Sequence, residues 1–290
     1  MNVRATGRRA APPEARLATS VAEAQAREPR LRILDVRDES AFAAGHLPEA
    51  GNISAAGLAA RPHELPARDV PLLVVHDSPA ISREAAAALA ASGHEHVQWL
   101  ERALADEIVG LAHRGPAARL WSPSPFLERV VARLPRGRAL DLACGSGRSA
   151  VFLALAAFAH VEAWDIDARA LALARELAAR HGAGIVTREI DLESGPLAIP
   201  APLFDVVVVA RYLHRELFPW IESALAPGGA LVYETFRLGQ ERFGPPRKPR
   251  HLLQSGELRG AFPGLVVEEY EETPADAPPV LARLLARKPR

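Results

Sequence analysis

The chain has one cysteine, Cys144, in 290 residues, so it can form no internal disulfide. No apolar run approaches the roughly twenty residues a membrane-crossing helix needs, and no membrane partner is expected. Lys and Arg number 35 against 35 Asp and Glu; a balanced charge gives no support for broad nucleic-acid binding, although a local basic patch stays open. The N-terminus is basic but lacks the apolar core of a secretory signal, so residues 1–14 are expected to be a disordered tail and the protein cytoplasmic. No internal repeat is present. What remains is ordinary globular composition, 49% hydrophobic and 24% charged, with length for two cores.

The most informative stretch is residues 138–149, where an apolar strand carrying Asp141 runs into Ala-Cys-Gly-Ser-Gly and then a helix. Gly145 and Gly147 remove side chains where a ligand approaches the backbone, and the helix that follows turns its N-terminal amides to the same place. A dinucleotide site would want a third glycine and no carboxylate ahead of the first. This chain has the carboxylate and lacks the glycine, which disfavours a nicotinamide-dependent oxidoreductase. Asp141 suits a ligand with positive charge, such as the ammonium and sulfonium of S-adenosylmethionine.

About twenty residues on, a second strand ends in Trp-Asp-Ile-Asp. Asp165 is placed there for a ribose diol and Asp167 as the cap of a helix over residues 168–180. A third strand over 185–192 carries Asp191, and 204–210 is an unbroken apolar run suited to a strand buried on both faces. Residues 225–236 join a helix end, a Pro-Gly-Gly turn and another strand. Alternation of strand and helix predicts an α/β fold with a mostly parallel sheet, with Asp141, Asp165, Asp191 and Arg211 gathered at the strand C-termini.

In this order, D-x-A-C-G-S-G, W-D-I-D, D-L and L-x-P-G-G-x-L make residues 126–290 resemble a class I S-adenosylmethionine-dependent methyltransferase with a Rossmann-like sheet. The segments at 211–217, 233–236 and 243–258 are similar to bacterial tellurite-resistance-type methyltransferases. The resemblance implies S-adenosylmethionine as cofactor and no metal. It implies Asp141, Cys144, Gly145 and Gly147 around the methionine end, Asp165 and Ile166 at ribose and adenine, Asp191 and Leu192 beside the adenine, and Arg211 near the sulfonium. Cys144 is read as a small packing residue, since methyl transfer needs no covalent protein intermediate.

Tyr212, His214, Arg215, Glu234 and Arg237 follow strand ends and could face the acceptor; a hydroxyl or amine acceptor would need a positioned proton acceptor, whereas a thiol, selenol or metalloid oxyanion would not. For His214 and Arg215 a helix start with surface side chains is an equal alternative. The basic run of Arg247, Lys248, Arg250 and His251 is either an anion-binding lid or a solvated loop. Two strands are expected to close the sheet at 266–272 and 280–287, the second of which could equally be a short helix.

Residues 15–110 resemble the rhodanese family at Asp35, Arg37, Glu39, Phe42, Gly45, His46, Pro48, Gly51 and Asn52. In that family a cysteine follows a later strand, here 71–75. The loop expected over 76–82 has His76 at that position and Ile81 at the loop arginine, so sulfur transfer is not expected. A packing or dimerisation module, which would make the chain a homodimer, an anion binder or a remnant are the readings left open. Residues 111–125 are expected to be a linker. The function expected is methyl transfer to a small molecule, since about 165 residues leave no large insertion for a macromolecule; a non-enzymatic cofactor-binding scaffold and a nucleic-acid methyltransferase are the rivals.

Overall fold

A computed structural model describes residues 14–110, 112–198 and 203–290. Of the tail expected at 1–14, residues 1–13 lie outside the described residues. The chain divides into two units, Met1–Trp121 and Ser122–Arg290. That boundary falls inside the expected linker, because residues 112–121 pack with the first unit: His113 pairs with His46, Leu120 joins the core and Trp121 is 1% exposed.

In the first unit β1 (Arg16–Ala18), α1 (Val21–Arg27), β2 (Arg32–Asp35), α2 (Glu39–Ala44), β3 (Ala50–Asn52), β4 (Leu72–Val75), α3 (Pro79–Ala91), β5 (Val97–Leu100) and α4 (Leu104–Glu107) build a five-stranded parallel sheet of order β1-β5-β4-β2-β3. Leu72, Leu73, Val74 and Val75 are all buried, the pattern of a central parallel strand covered on both faces. The family-like residues are struts. Arg37 donates to Asp35 at 2.6 Å and to the Gly45 carbonyl at 2.8 Å, Asn52 donates to the Asp35 carbonyl, and His46 stacks on Phe42 with centroids 3.8 Å apart.

The second unit runs α5 (Pro125–Val130), β6 (Arg138–Leu142), α6 (Arg148–Leu155), β7 (His160–Asp165), α7 (Ala168–Arg180), β8 (Val186–Glu189), β9 (Phe204–Ala210), α8 (Phe218–Ala224), β10 (Leu225–Phe236), α9 (Glu257–Gly260), β11 (Val266–Glu272) and β12 (Leu281–Arg287). The sheet order is β11-β12-β10-β9-β6-β7-β8, parallel from β10 to β8 and closed by β12, which is antiparallel to both β10 and β11. Of residues 280–287, Leu281–Arg287 therefore form a strand, not a helix: Leu281, Leu284 and Leu285 bury into a sheet whose register with β10 runs unbroken from Phe236↔Leu281 to Ala230↔Arg287. Two apolar layers flank the sheet. One joins Leu231 and Tyr233 to Trp220, Ile221 and Leu258; the other joins Ala230 and Val232 to Phe126, Leu127 and Leu153.

The chain winds outward from β6 through β7 to β8, then returns to lay β9 on the other side of β6. The crevice beyond the C-termini of β6 and β9 is thus a topological switch point, where open α/β sheets hold ligands.

Candidate active site

At the end of β6 the backbone takes left-handed conformations at Ala143 (φ 56°), Gly145 (φ 52°) and Gly147 (φ 75°). The Gly147 N–H closes the turn on the Cys144 carbonyl at 2.9 Å. A Cβ on Gly145 would meet nothing within 4 Å, whereas one on Gly147 would lie 2.5 Å from the Ala174 Cβ on α7. Gly145 faces open space for a ligand; Gly147 permits α6 and α7 to approach.

Asp141 is 2% exposed and accepts from the Ala150 N–H at 2.9 Å, so it pins the start of α6 from within. Burial pushes its carboxyl up to about 7, with the Ala150 N–H opposing and the Asp165 charge adding to the rise. Asp165 binds the turn directly: one oxygen accepts from the Gly145 N–H at 2.8 Å, the other from the Asp167 N–H at 2.9 Å. Each oxygen keeps a further lone pair, enough for a vicinal diol. Asp167 caps α7 through the Arg169 N–H at 2.8 Å. Ile166 beside it is 61% exposed, an apolar side chain in the open at the mouth of the crevice.

The second loop of the crevice follows β8. Ile190 N–H donates to the Asp165 carbonyl, Asp191 accepts from the Glu193 N–H at 2.9 Å and Leu192 is buried. Tyr212 donates to Glu193 at 3.3 Å, and its hydroxyl is pushed up by burial and then by Glu193, Asp191 and Asp165. Tyr212 therefore stands on the acidic side of the crevice. The Cys144 thiol is pushed well above its usual range, by burial first and by Asp141 and Asp165 after it, which leaves it a packing group.

Of the other side chains expected to face an acceptor, three are bound elsewhere. Glu234 is 2% exposed and accepts from the Arg283 Nε at 2.6 Å, a rung across β10 and β12. Its side chain is held against Arg283, the structural alternative to facing an acceptor. Arg215 donates to the carbonyls of Arg250 and Leu252, both at 2.9 Å, and to Glu257 at 2.9 Å, so it fastens the segment after β10. His214 is half-buried, 3.8 Å from Glu216, in a crevice with Leu192, Leu217 and Trp220. Arg237 is tied to Glu272 at 3.6 Å and to the Thr273 carbonyl.

Arg211 has φ 59°, a strained conformation for a residue with a side chain, fixed by its N–H donating to the Glu234 carbonyl at 2.7 Å. Its guanidinium lies 5.9 Å from the centre of the Phe236 ring. Three residues of the crevice had not been singled out: Glu193, Phe236 and Arg148. Arg148 had a signal, because a cation in the first turn of a helix opposes the helix dipole.

In the first unit, α3 begins at Pro79, four residues before the expected start at Arg83, and the loop after β4 shrinks to His76, Asp77 and Ser78. Proline is favoured at a helix start, where its missing N–H costs nothing. Ile81 and Ser82 are helical, and His76 Nδ1 accepts from the Ser78 N–H at 2.8 Å. Among the described residues no His, Cys, Asp and Glu cluster could hold a metal ion, and no helix is long and apolar enough to cross a membrane.

A mostly parallel sheet with a glycine turn at its switch point and carboxylates on the next two strand ends is an α/β arrangement suited to a nucleoside cofactor. Known proteins narrow this. A family model described as a methyltransferase domain matches residues 139–229, and one described as a rhodanese-like domain matches residues 17–106. The chain thus joins a rhodanese-like domain to a methyltransferase domain.

It is 25% identical over 284 residues to the uncharacterized protein UNK4.09 of Schizosaccharomyces pombe, covering 78% of this chain and 83% of that protein. It is 33% identical over 142 residues to the ribosomal protein L11 methyltransferase of Rhizobium johnstonii, covering 47% of each; the chain spans about half the length of that relative. Among solved structures it is similar to TehB from Haemophilus influenzae, with a TM-score of 0.46 and 21% identity over 57% of this chain and 62% of that one. It is also similar to the N-methyltransferase NodS from Bradyrhizobium japonicum, with a TM-score of 0.47 and 21% identity over 57% and 93%.

Proposed function

We propose that this methyltransferase acts on a small-molecule acceptor, with the adenosyl ligand held by Gly145, Asp165, Ile166, Asp191 and Leu192 and the turn shaped from behind by Asp141, Cys144 and Gly147. The observation that carries the assignment of residues is the Asp165 carboxylate, which grips the glycine turn and still has acceptor capacity toward the crevice. The open space at Gly145 and the exposed Ile166 fit a close backbone contact and an apolar platform for a flat base. The bound group would supply an activated methyl. The protein's own task is then alignment and exclusion of water, which for an in-line displacement is most of what is needed.

Tyr212 and Glu193 close the acidic side, and nothing in the buried Glu234 favours a proton acceptor at the strand end. That arrangement supports an acceptor that is already a nucleophile once deprotonated. The first unit, with His76 where a sulfur carrier would need cysteine and a helix opening on Pro79, is assigned no sulfur transfer.

Titration of S-adenosylhomocysteine into the full chain tests the site. Saturable binding is expected, weakened in Asp165→Ala by about 1–3 kcal/mol for the lost hydrogen bonds. Equal affinity in the variant would remove Asp165 from the cofactor site.

A further inference from the structure

The two loops that flank the crevice are joined to each other. Tyr212, two residues past the end of β9, donates to Glu193, four residues past the end of β8. In the sheet β9 and β8 are separated by β6 and β7, so at the usual strand spacing their ends stand about 14 Å apart. The bond therefore spans the strip where the ends of β6 and β7 present Gly145 and Asp165. It does so on the α8 side of the sheet, because Tyr212, Ile190 and Leu197 pack in the same apolar layer as Trp220 and Ile221. On the other side the strip is flanked by α6, whose Ala150 and Leu153 belong to the opposite layer.

The two ends of this strap are held unequally. On the β9 side the Arg211 N–H donates to the Glu234 carbonyl at 2.7 Å, the hydroxyl of the buried Tyr233 donates to the Tyr212 carbonyl at 3.1 Å, and Leu213 is buried. Tyr212 thus stands on a fixed post. On the β8 side the Glu193 N–H donates to the Asp191 side chain at 2.9 Å, while the Glu193 side chain itself is exposed. Among the described residues no ion pair holds the Glu193 carboxylate, and Tyr212 is its one hydrogen-bond donor. An exposed hydrogen bond of 3.3 Å exchanges for water at little net cost, so this end can let go without disturbing the sheet.

The strap also borders the groups assigned to the cofactor. Burial first, and then the charges of Glu193, Asp191 and Asp165, push the Tyr212 hydroxyl up; the phenol is within electrostatic reach of both carboxylates placed at the ribose and the adenine.

We propose that the Tyr212–Glu193 hydrogen bond is a gate on the cofactor crevice, which opens for each exchange of S-adenosylhomocysteine for S-adenosylmethionine and closes again behind it. This rests on the methyltransferase reading and adds to it the step that controls exchange. Tyr212 is then a positioning residue that acts through Glu193 and touches no reacting atom. The closed strap shields the strip from water, and its opening sets how fast the spent cofactor leaves.

The test is a chase on the full chain. Protein loaded with tritiated S-adenosylhomocysteine is mixed with excess unlabelled ligand to give the release rate, and equilibrium dialysis gives the dissociation constant. A gate that is closed in both the empty and the filled protein speeds entry and exit alike when it is broken. Tyr212→Phe and Glu193→Ala are therefore each expected to raise the release rate fivefold or more while the dissociation constant changes less than twofold. The double variant should release no faster than either single one, because both remove the same bond. Glu193→Gln, whose amide oxygen still accepts from the phenol, should stay within twofold of the unmodified rate. Faster release with a matching loss of affinity would make Tyr212 a direct cofactor contact and overturn the gate. Unchanged release in Tyr212→Phe and Glu193→Ala, with intact binding, would overturn it as well and leave the site assignment standing. Failure of S-adenosylhomocysteine to bind the unmodified chain would remove the site assignment and the gate together.

Discussion

Gly145 and Gly147 carry the same left-handed backbone, yet a methyl group added to each meets opposite surroundings. Gly147→Ala drives a Cβ to 2.5 Å from Ala174 and is expected to destabilise the second unit by about 1–3 kcal/mol, read as a lower thermal midpoint. Gly145→Ala should cost only the roughly 1–2 kcal/mol of left-handed strain while losing more in S-adenosylhomocysteine affinity than Gly147→Ala does; the reverse order in the two measurements would exchange the assignments. Asp141 gives a pH signature. Its folded pKa of about 7 lies above the unfolded value of about 3.9. Its contribution to stability is therefore full at low pH and is lost as pH rises through 7. Asp141→Asn, which cannot ionise, should melt progressively higher relative to the unmodified ligand-free protein from about pH 4 to about pH 7, with the gap levelling off above pH 7. A gap that does not change with pH would mean that the carboxyl ionises normally. The residue types of the turn were legible from the sequence because glycines and carboxylates at fixed spacing have few other uses. The division of labour between the glycines was not, since it depends on where Ala174 falls in space.

Glu234, Arg283, Glu271 and Arg129 form one chain of charge across three elements and a helix, with Arg283 donating to Glu234 at 2.6 Å and to Glu271 at 2.8 Å, and Arg129 3.0 Å from Glu271. The strand register produces it, since Glu234 and Glu271 both lie opposite Arg283. Truncating Arg283 to Met would leave the buried Glu234 without its cation, at an expected cost of about 3–5 kcal/mol in urea unfolding. A cost below 1 kcal/mol would show that Glu234 is neutral or solvated. The same register explains what the sequence leaves open. From sequence Glu234 lies two residues before the end of a strand, near where catalytic groups are common, and only pairing with β12 reveals that its side chain is already engaged. Residues 204–210 and 168–180 coincide with β9 and α7 because an apolar run and a capped amphipathic helix are local signals. The early start of α3 at Pro79 and the strand at β12 depend on competing local preferences settled by tertiary packing.

At the scale of the whole chain, each unit has apolar clusters of its own: Leu34, Leu72, Leu89 and their neighbours in the first, Leu140, Val207, Leu231 and theirs in the second. A fragment of residues 122–290 is accordingly expected to fold and to bind S-adenosylhomocysteine within threefold of the full chain; a cooperative loss of structure on removing residues 1–121 would show that the second unit depends on the first. The two-part architecture was legible because each half carries a separate run of motifs. The boundary was legible only to within the segment 111–125, since His113, Leu120 and Trp121 look like linker residues until they are seen paired or buried.

The outer strand β11 has a consequence for how the molecule behaves in crowded solution. An edge strand offers its unpaired amides and carbonyls to any passing strand, and a flat apolar one invites end-to-end assembly. Every carboxylate from Glu268 to Glu272 is already engaged by an arginine of its own fold: Glu268 by Arg133 and Arg287, Glu269 by Arg129 and Arg133, Glu271 by Arg129 and Arg283, and Glu272 by Arg237. A second copy approaching this rim would have to break ion pairs before making any hydrogen bond. The charges that brace the sheet from within thus also keep it from growing, and colloidal stability is written into the same arginines that hold the fold.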